Sequence, residues 1–262
     1  MNGAVIVSRE GAVARVTLSR PEVRNAFNAE LIADLHDAFG MLASEPPEAL
    51  RAIVLAGEGA AFCAGADVAW MRASAALSVE DNEADARRMA ELLLTIDACP
   101  VPVVARVHGA ALGGGMGLCA VADIALAASD TVFGFTETKL GILPAVISPF
   151  VIARIGEGQA RALFPTGERF DADRALRIGL VHEVLHDESA LDDRVAAVVG
   201  ELLGAGPTAA RAAKAIIREQ RGLSMAEKQS LTVRAIARQR VSPEGQEGLT
   251  AYLDKRPAAW RD

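Results

Sequence analysis

The chain has 262 residues, of which 51% are apolar and only 4% aromatic, and a formal net charge of -7. That length can bury one large α/β core, and with so few aromatics the core must be filled mainly by Ala, Val, Leu and Ile. The acidic balance excludes nucleic acid as the main partner, because phosphate binding needs a concentrated basic surface. No stretch approaches the ~20 apolar residues needed to span a bilayer.

Cys63, Cys99 and Cys119 are an odd, scattered set, which sets aside a disulfide framework. Met1-Asn2-Gly3-Ala4 carries no basic region followed by an apolar one, so a cytoplasmic protein is expected. Ala4 to Ser8 and Ala12 to Ser19 read as a hairpin turning at Glu10-Gly11. From Asn28 as N-cap, Leu31, Ile32, Leu35, Phe39 and Leu42 recur at helical spacing, predicting a helix over Ala29 to Ala43 that Pro46-Pro47 follows. Ala52 to Ala56 reads as a buried strand, followed by a loop of small residues from Gly57 to Gly65. Met89, Leu92, Leu93 and Ile96 predict a helix over Asp85 to Ala98, and Val103 to Val107 the next strand.

Val107 to Gly117 then holds five glycines in eleven residues, a cluster that calls for a chain taking φ > 0 or meeting another backbone or a ligand too closely for a Cβ. Leu118 to Ala122 reads as a buried helix opening on those glycines, where unpaired N–H groups and the positive dipole end suit an anion or a developing one. Asp123 to Ala127 and Thr131 to Phe133 are further strand candidates, and beyond Pro144 the pattern is almost wholly helical. Gly179 reads as a cap after Ala172 to Ile178, and Ser242-Pro243 as an N-cap with proline at the first helical position. The expected organisation is an α/β core over residues 1–195 and a helical region over 196–262 that packs on the core or on a neighbouring subunit.

Two loops follow the carboxyl ends of predicted strands, Phe62 to Asp67 and Gly113 to Gly115, the place where open α/β folds bind ligands. One backbone N–H from each could hold a single carbonyl oxygen as an oxyanion; the alternative is two tight connections whose small residues serve packing. These segments resemble the enoyl-CoA hydratase/isomerase, or crotonase, family. The likeness runs through Ser19-Arg20-Pro21-Glu22-Val23-Arg24-Asn25-Ala26, Phe62 to Val68, Gly109 to Gly115 with Ala122-Asp123-Ile124, Glu137 to Pro144, and Tyr252 to Arg256.

The resemblance implies a crotonase-type ββα spiral core with a C-terminal helical trimerisation region, hence a homotrimer or a dimer of trimers. It assigns the oxyanion N–H groups to Ala66 and Gly114 and the catalytic carboxylate to Glu137. Arg24, Ala26, Ala64, Asp67, Val68 and Ala69 would lie along the coenzyme A, and Lys255 would approach its nucleotide end, often from a neighbouring subunit. No metal or redox cofactor is implied, because coenzyme A arrives as part of an acyl-CoA thioester substrate. Read without the resemblance, Glu137 is an acidic residue placed to favour a helix dipole.

The sequence departs from the two-glutamate hydratases at Gly117, where they carry a second glutamate. That leaves three readings: a hydratase in which Glu137 is both base and acid, a 3-enoyl-CoA isomerase, or a member with altered chemistry. Gly113 to Leu118 together with Pro144 to Phe150 look most like the bacterial branch that hydrates methylglutaconyl-CoA and isohexenylglutaconyl-CoA, so hydratase leads, with leucine or acyclic terpene catabolism attached to it. Arg72 or Lys139 could meet a distal substrate carboxylate, while Trp70 and Met71 read as an apolar wall and His108 as a loop or core histidine.

Three rival readings have some footing in the sequence. His182-Glu183-Val184-Leu185-His186 fits H-E-x-x-H but reads as strand and lacks a later histidine. Gly115 to Ala120, with Asp130, fits a loose dinucleotide pattern, yet lies too far beyond Val107 for the tight strand-to-helix turn. A non-catalytic assembly protein is the third, against which Glu137 and both small-residue loops argue.

Overall fold

In the computed structural model residues 3–261 are described; Met1 and Asn2 of the N-terminal stretch read above, and Asp262, lie outside them. A six-stranded sheet is built from β1 (Val5–Glu10), β2 (Val13–Leu18), β3 (Ala52–Gly57), β4 (Val103–Val107), β6 (Ile124–Ala128) and β9 (Glu183–Leu185), in that order. Only the β1–β2 hairpin is antiparallel; every later pairing is parallel. A smaller sheet joins β5 (Ala110–Leu112), β7 (Val132–Gly134) and β8 (Arg169–Phe170).

The central strands read as continuous apolar runs because both faces are covered. Ile53, Leu55, Val103, Ala105, Val107, Ala125 and Ala127 face one large core. That core is shared with α1 (Ala29–Ala43), α3 (Val79–Ala98), α4 (Gly114–Val121) and α5 (Ser148–Thr166). Their alternating neighbours Val54, Val104, Leu126 and Ala128 turn to the opposite face and meet Leu191, Val195 and Val198 of α7 (Glu188–Gly204), as the period of two in a strand requires. Arg106 sits on this second face, where Asp192 (2.6 Å) and Glu188 (3.0 Å) pair with it. α7 crosses the 195/196 boundary of the expected organisation, and α8 (Pro207–Glu219), α9 (Met225–Val241) and α10 (Pro243–Leu253) complete the chain after α6 (Ala172–Arg177).

The α1 span and its Asn28 cap agree with the expectation, the Asn28 side chain accepting from the Leu31 N–H. α3 instead begins at Val79 behind a Ser78 cap, because its first turn is solvent-facing and carries no apolar period. The short α2 (Val68–Ser74) buries no residue and so left no periodic signal. α4 starts at Gly114 rather than at Leu118, which places three glycines of the cluster inside a helix. No described helix is long and apolar enough to cross a membrane.

Candidate active site

β3 and β4 are parallel neighbours, so the loops leaving their carboxyl ends emerge side by side. They are zipped together: Phe62 N–H donates to His108 O (2.9 Å), Cys63 N–H to Ala110 O (3.0 Å) and Leu112 N–H to Cys63 O (2.9 Å). The approach is close enough that residue type matters. Gly109 has φ +63°, and a Cβ on it would lie 2.0 Å from Ala60 O.

The first loop is clamped from its other side. Ala64 N–H donates to Arg24 O (3.0 Å), Phe27 N–H to Gly65 O (2.7 Å) and Asp67 N–H to Phe27 O (2.9 Å). Because neighbouring N–H groups of an extended chain point to opposite sides, the Ala66 N–H faces away from Phe27. Buried Asn25 holds the same loop by donating to Glu58 O (2.9 Å) and Ala61 O (2.7 Å). Asp67 caps α2 through the Ala69 N–H (2.7 Å) and pairs with Arg20 (2.8 Å). The Arg20 hydrogen bond, with smaller help from the Ala69 N–H, pulls the Asp67 carboxyl below the ordinary aspartate range against the opposing effect of burial.

On the second loop Gly113 takes φ +49°, and a Cβ there would stand 3.2 Å from Glu137 Oε1 and 3.6 Å from Gly65 Cα. The positive φ is what calls for glycine here, and the carboxylate and the first loop both come near it. Gly114 follows as the first residue of α4, where N–H groups have no intrahelical acceptor and carry the positive dipole end.

Glu137 stands in a 3-10 turn, Thr136–Leu140, closed by left-handed Gly141. Its Oε2 is buried, and no described group hydrogen-bonds to it. Burial pushes the Glu137 carboxyl above the ordinary glutamate range, with its own backbone N–H opposing weakly. Such a carboxyl is poised to take and return a proton.

Two adjoining cavities meet here, and Ala66, Gly114 and Glu137 line both. The narrower continues between Phe27, Trp70, Met89 and Leu143 to Ile147. The wider carries Ala64, Val68, Met71 and Lys139 together with Arg169. Two backbone donors beside a desolvated carboxyl can hold a carbonyl oxygen while a proton moves at a neighbouring carbon.

The sequence profile of the enoyl-CoA hydratase/isomerase family matches residues 8–262. The chain belongs to the enoyl-CoA hydratase/isomerase family. Among its relatives is the crotonyl-CoA hydratase of Syntrophomonas wolfei, 33% identical over 97% of this chain and 96% of the relative. Another is the short-chain-enoyl-CoA hydratase of Clostridium acetobutylicum, 30% identical over 96% and 95%. The solved structure of Pseudomonas aeruginosa AtuE superposes with a TM-score of 0.95 at 37% identity, covering 99% of this chain and 100% of that one. An enoyl-CoA hydratase from Mycobacterium smegmatis superposes at 0.93 with 33% identity, covering 99% of each. The fold is the crotonase fold, an α/β core with a helical C-terminal region.

Several residues that the crotonase likeness places along the coenzyme A line neither cavity within the single chain. Asp67 turns its carboxylate to Arg20 and Ala69 rather than into a cavity, and Ala26 is buried with its carbonyl accepting from Arg20. Arg24, Ala69 and Arg72 are exposed and line neither cavity. Lys255, also exposed, follows α10 and lines neither cavity. Phe27, Met89 and Arg169 reach the cavities unannounced: Met89 reads only as a core position, and Phe27 and Arg169 arrive through long-range packing.

The rival motifs resolve locally. His182 precedes strand β9 and its Nδ1 accepts from the Ala125 N–H (2.9 Å), so H-E-x-x-H is not on a helix. Gly115 and Gly117 lie within α4 instead of the strand-to-helix turn a dinucleotide needs. His108 is a core histidine, held between Arg106 Nη1 (3.0 Å) and Gly59 O (2.9 Å).

Proposed function

We propose that this protein is an enoyl-CoA hydratase, adding water across the α,β double bond of an acyl-CoA thioester. The observation that carries the reading is that Glu137, its Oε2 buried without a hydrogen-bond partner among the described residues, lines the junction of two cavities together with Ala66 and Gly114. The thioester oxygen accepts from both N–H groups. Glu137 takes a proton from water as the water oxygen bonds to Cβ, and the π electrons move to leave enolate charge on the held oxygen. The same carboxyl then returns the proton to Cα, so one water is added and Glu137 is regenerated.

Stabilising charge where it develops is worth ~10²–10³ in turnover per donor, and the proton transfers ~10²–10⁴. The apolar narrow cavity suits the acyl chain, and the wider one, lined by Ala64 and Val68, suits the pantetheine. A branched glutaconyl-type acyl group is the finer reading, supported by the Pro144 to Phe150 segment and by Lys139 and Arg169 at the wider cavity. 3-Enoyl-CoA to 2-enoyl-CoA isomerisation is the second reading, favoured by the single carboxylate, since shuttling one proton needs no second acid.

The C-terminal helices leave Ile217, Val233, Ile236 and Val241 exposed, which supports self-association as a trimer or a dimer of trimers. Loss of the conjugated thioester absorbance with crotonyl-CoA and with 3-methylglutaconyl-CoA, for wild type and Glu137→Gln, tests the reaction. Hydration that collapses in the variant is the expected result, and no absorbance change with either substrate overturns it in favour of isomerisation.

A further inference from the structure

Positions 114 and 117 are three apart in α4 and share one helix face. A Cβ built on Gly114 would meet Phe27 (2.8 Å) and Met89 (3.3 Å), and one built on Gly117 would meet Ile147 Cγ2 at 2.6 Å, Ile147 Cβ at 3.3 Å and Leu93 at 3.4 Å. Met89 and Leu93 are themselves one turn apart on α3. The two helices thus run as one wall, with residue 117 a turn beyond the site. Ile147, 3% exposed, stands on that wall and also lines the narrow cavity that holds Glu137.

We infer that Ile147 determines how many carboxylates this site holds: packed on Gly117, it closes the inner end of the cavity, excludes any side chain from position 117 and leaves Glu137 to make both proton transfers. The inference rests on the hydratase reading for its chemistry, but its packing half stands alone. Ile147 also sets the depth available to the acyl chain. A glutamate introduced at 117 alone must displace Ile147 or bury an unpaired charge, whereas the paired exchange Gly117→Glu with Ile147→Gly keeps the volume roughly constant.

The test compares wild type, Gly117→Glu, Ile147→Gly and the double variant by thermal midpoint and by the pH profile of kcat/KM on the enoyl-CoA that wild type hydrates. Gly117→Glu alone is expected to lower the midpoint by about 2–12 °C, the shift that overpacking implies for a chain of this size, and the second change to restore most of it. Wild type shows a single rising acid limb, and the double variant gains a falling limb from the second carboxyl. The inference is overturned if Gly117→Glu alone keeps the wild-type midpoint. It is equally overturned if the double variant stays as unstable as the single one, or is stable yet keeps a one-limb profile. Absence of hydration by wild type removes the hydratase reading instead, and the midpoints then decide the packing inference by themselves.

Discussion

Glu137 illustrates how the surroundings of one carboxyl change its hold on a proton. Its Oε2 lies in apolar packing without a donor, and desolvation raises its pKa. In the folded protein this group holds its proton more tightly than in the unfolded chain, so its effect on stability is favourable in acid and is lost as pH rises through the folded value. Glu137→Gln is therefore expected to be more stable than wild type at pH 7. The gap should close below the ordinary carboxylate range, which thermal midpoints at the two pH values will show. The same shift places the acid limb of wild-type kcat/KM above the ordinary glutamate range; a limb at the unshifted position would mean that the resting burial of Glu137 does not persist in turnover.

At the scale of elements, two loops at the ends of adjacent parallel strands hold the donors, and their precision comes from bonds made to other segments. Asp67 ties the start of α2 to Arg20 with both partners little exposed. Asp67→Ala removes a cap and leaves Arg20 unpaired, for a loss of about 3 kcal/mol. Calorimetry should read this as a midpoint about 6–12 °C lower. The depressed Asp67 pKa gives stabilisation that is present above the unfolded aspartate value and fades as pH falls through the folded one, so the variant and wild type should converge in acid. Gly109→Ala is expected to be worse, because its Cβ would strike Ala60 O at 2.0 Å from a left-handed backbone. A loss of at least ~3 kcal/mol follows, measured as a lower denaturant midpoint and reduced soluble yield.

The whole molecule is organised around a sheet with one face toward α1, α3, α4 and α5 and the other toward α7. α8 to α10 extend beyond that core, and α8 and α9 enclose a groove lined by Ala213, Ile216, Val233 and Ile236. An apolar groove of this kind on a surface helix pair suits burial against another copy. Val233, 59% exposed, is the position at which to test this: Val233→Asp should shift sedimentation velocity from the proposed trimer or dimer of trimers to a smaller species, with far-UV circular dichroism unchanged. An unchanged sedimentation coefficient would exclude this face from the assembly.

Sequence alone determined the elements whose local chemistry is self-sufficient. Asn28 and Ser242 cap their helices as their positions imply, the expected hairpin forms with its turn at Gly11-Ala12, one residue later than read, and the apolar runs of β3 and β4 announce strands buried on both sides. Exposed or very short elements such as α2 and β5 gave no periodicity to read. The two loops and Glu137 were legible as family motifs, but the role of each residue within them was not. Asp67 reads as a position along the ligand, and the pairing of its carboxylate with Arg20, 47 residues away, had no signal in the sequence. Gly117 reads as a vacancy, and only the folded chain brings Ile147, from the turn before α5, against it. A local pattern encodes backbone preference over a few residues, whereas which side chain fills a space is settled by segments that meet only when the sheet and its helices close. The site's small residues were therefore written in the sequence, and what they make room for was decided by tertiary packing.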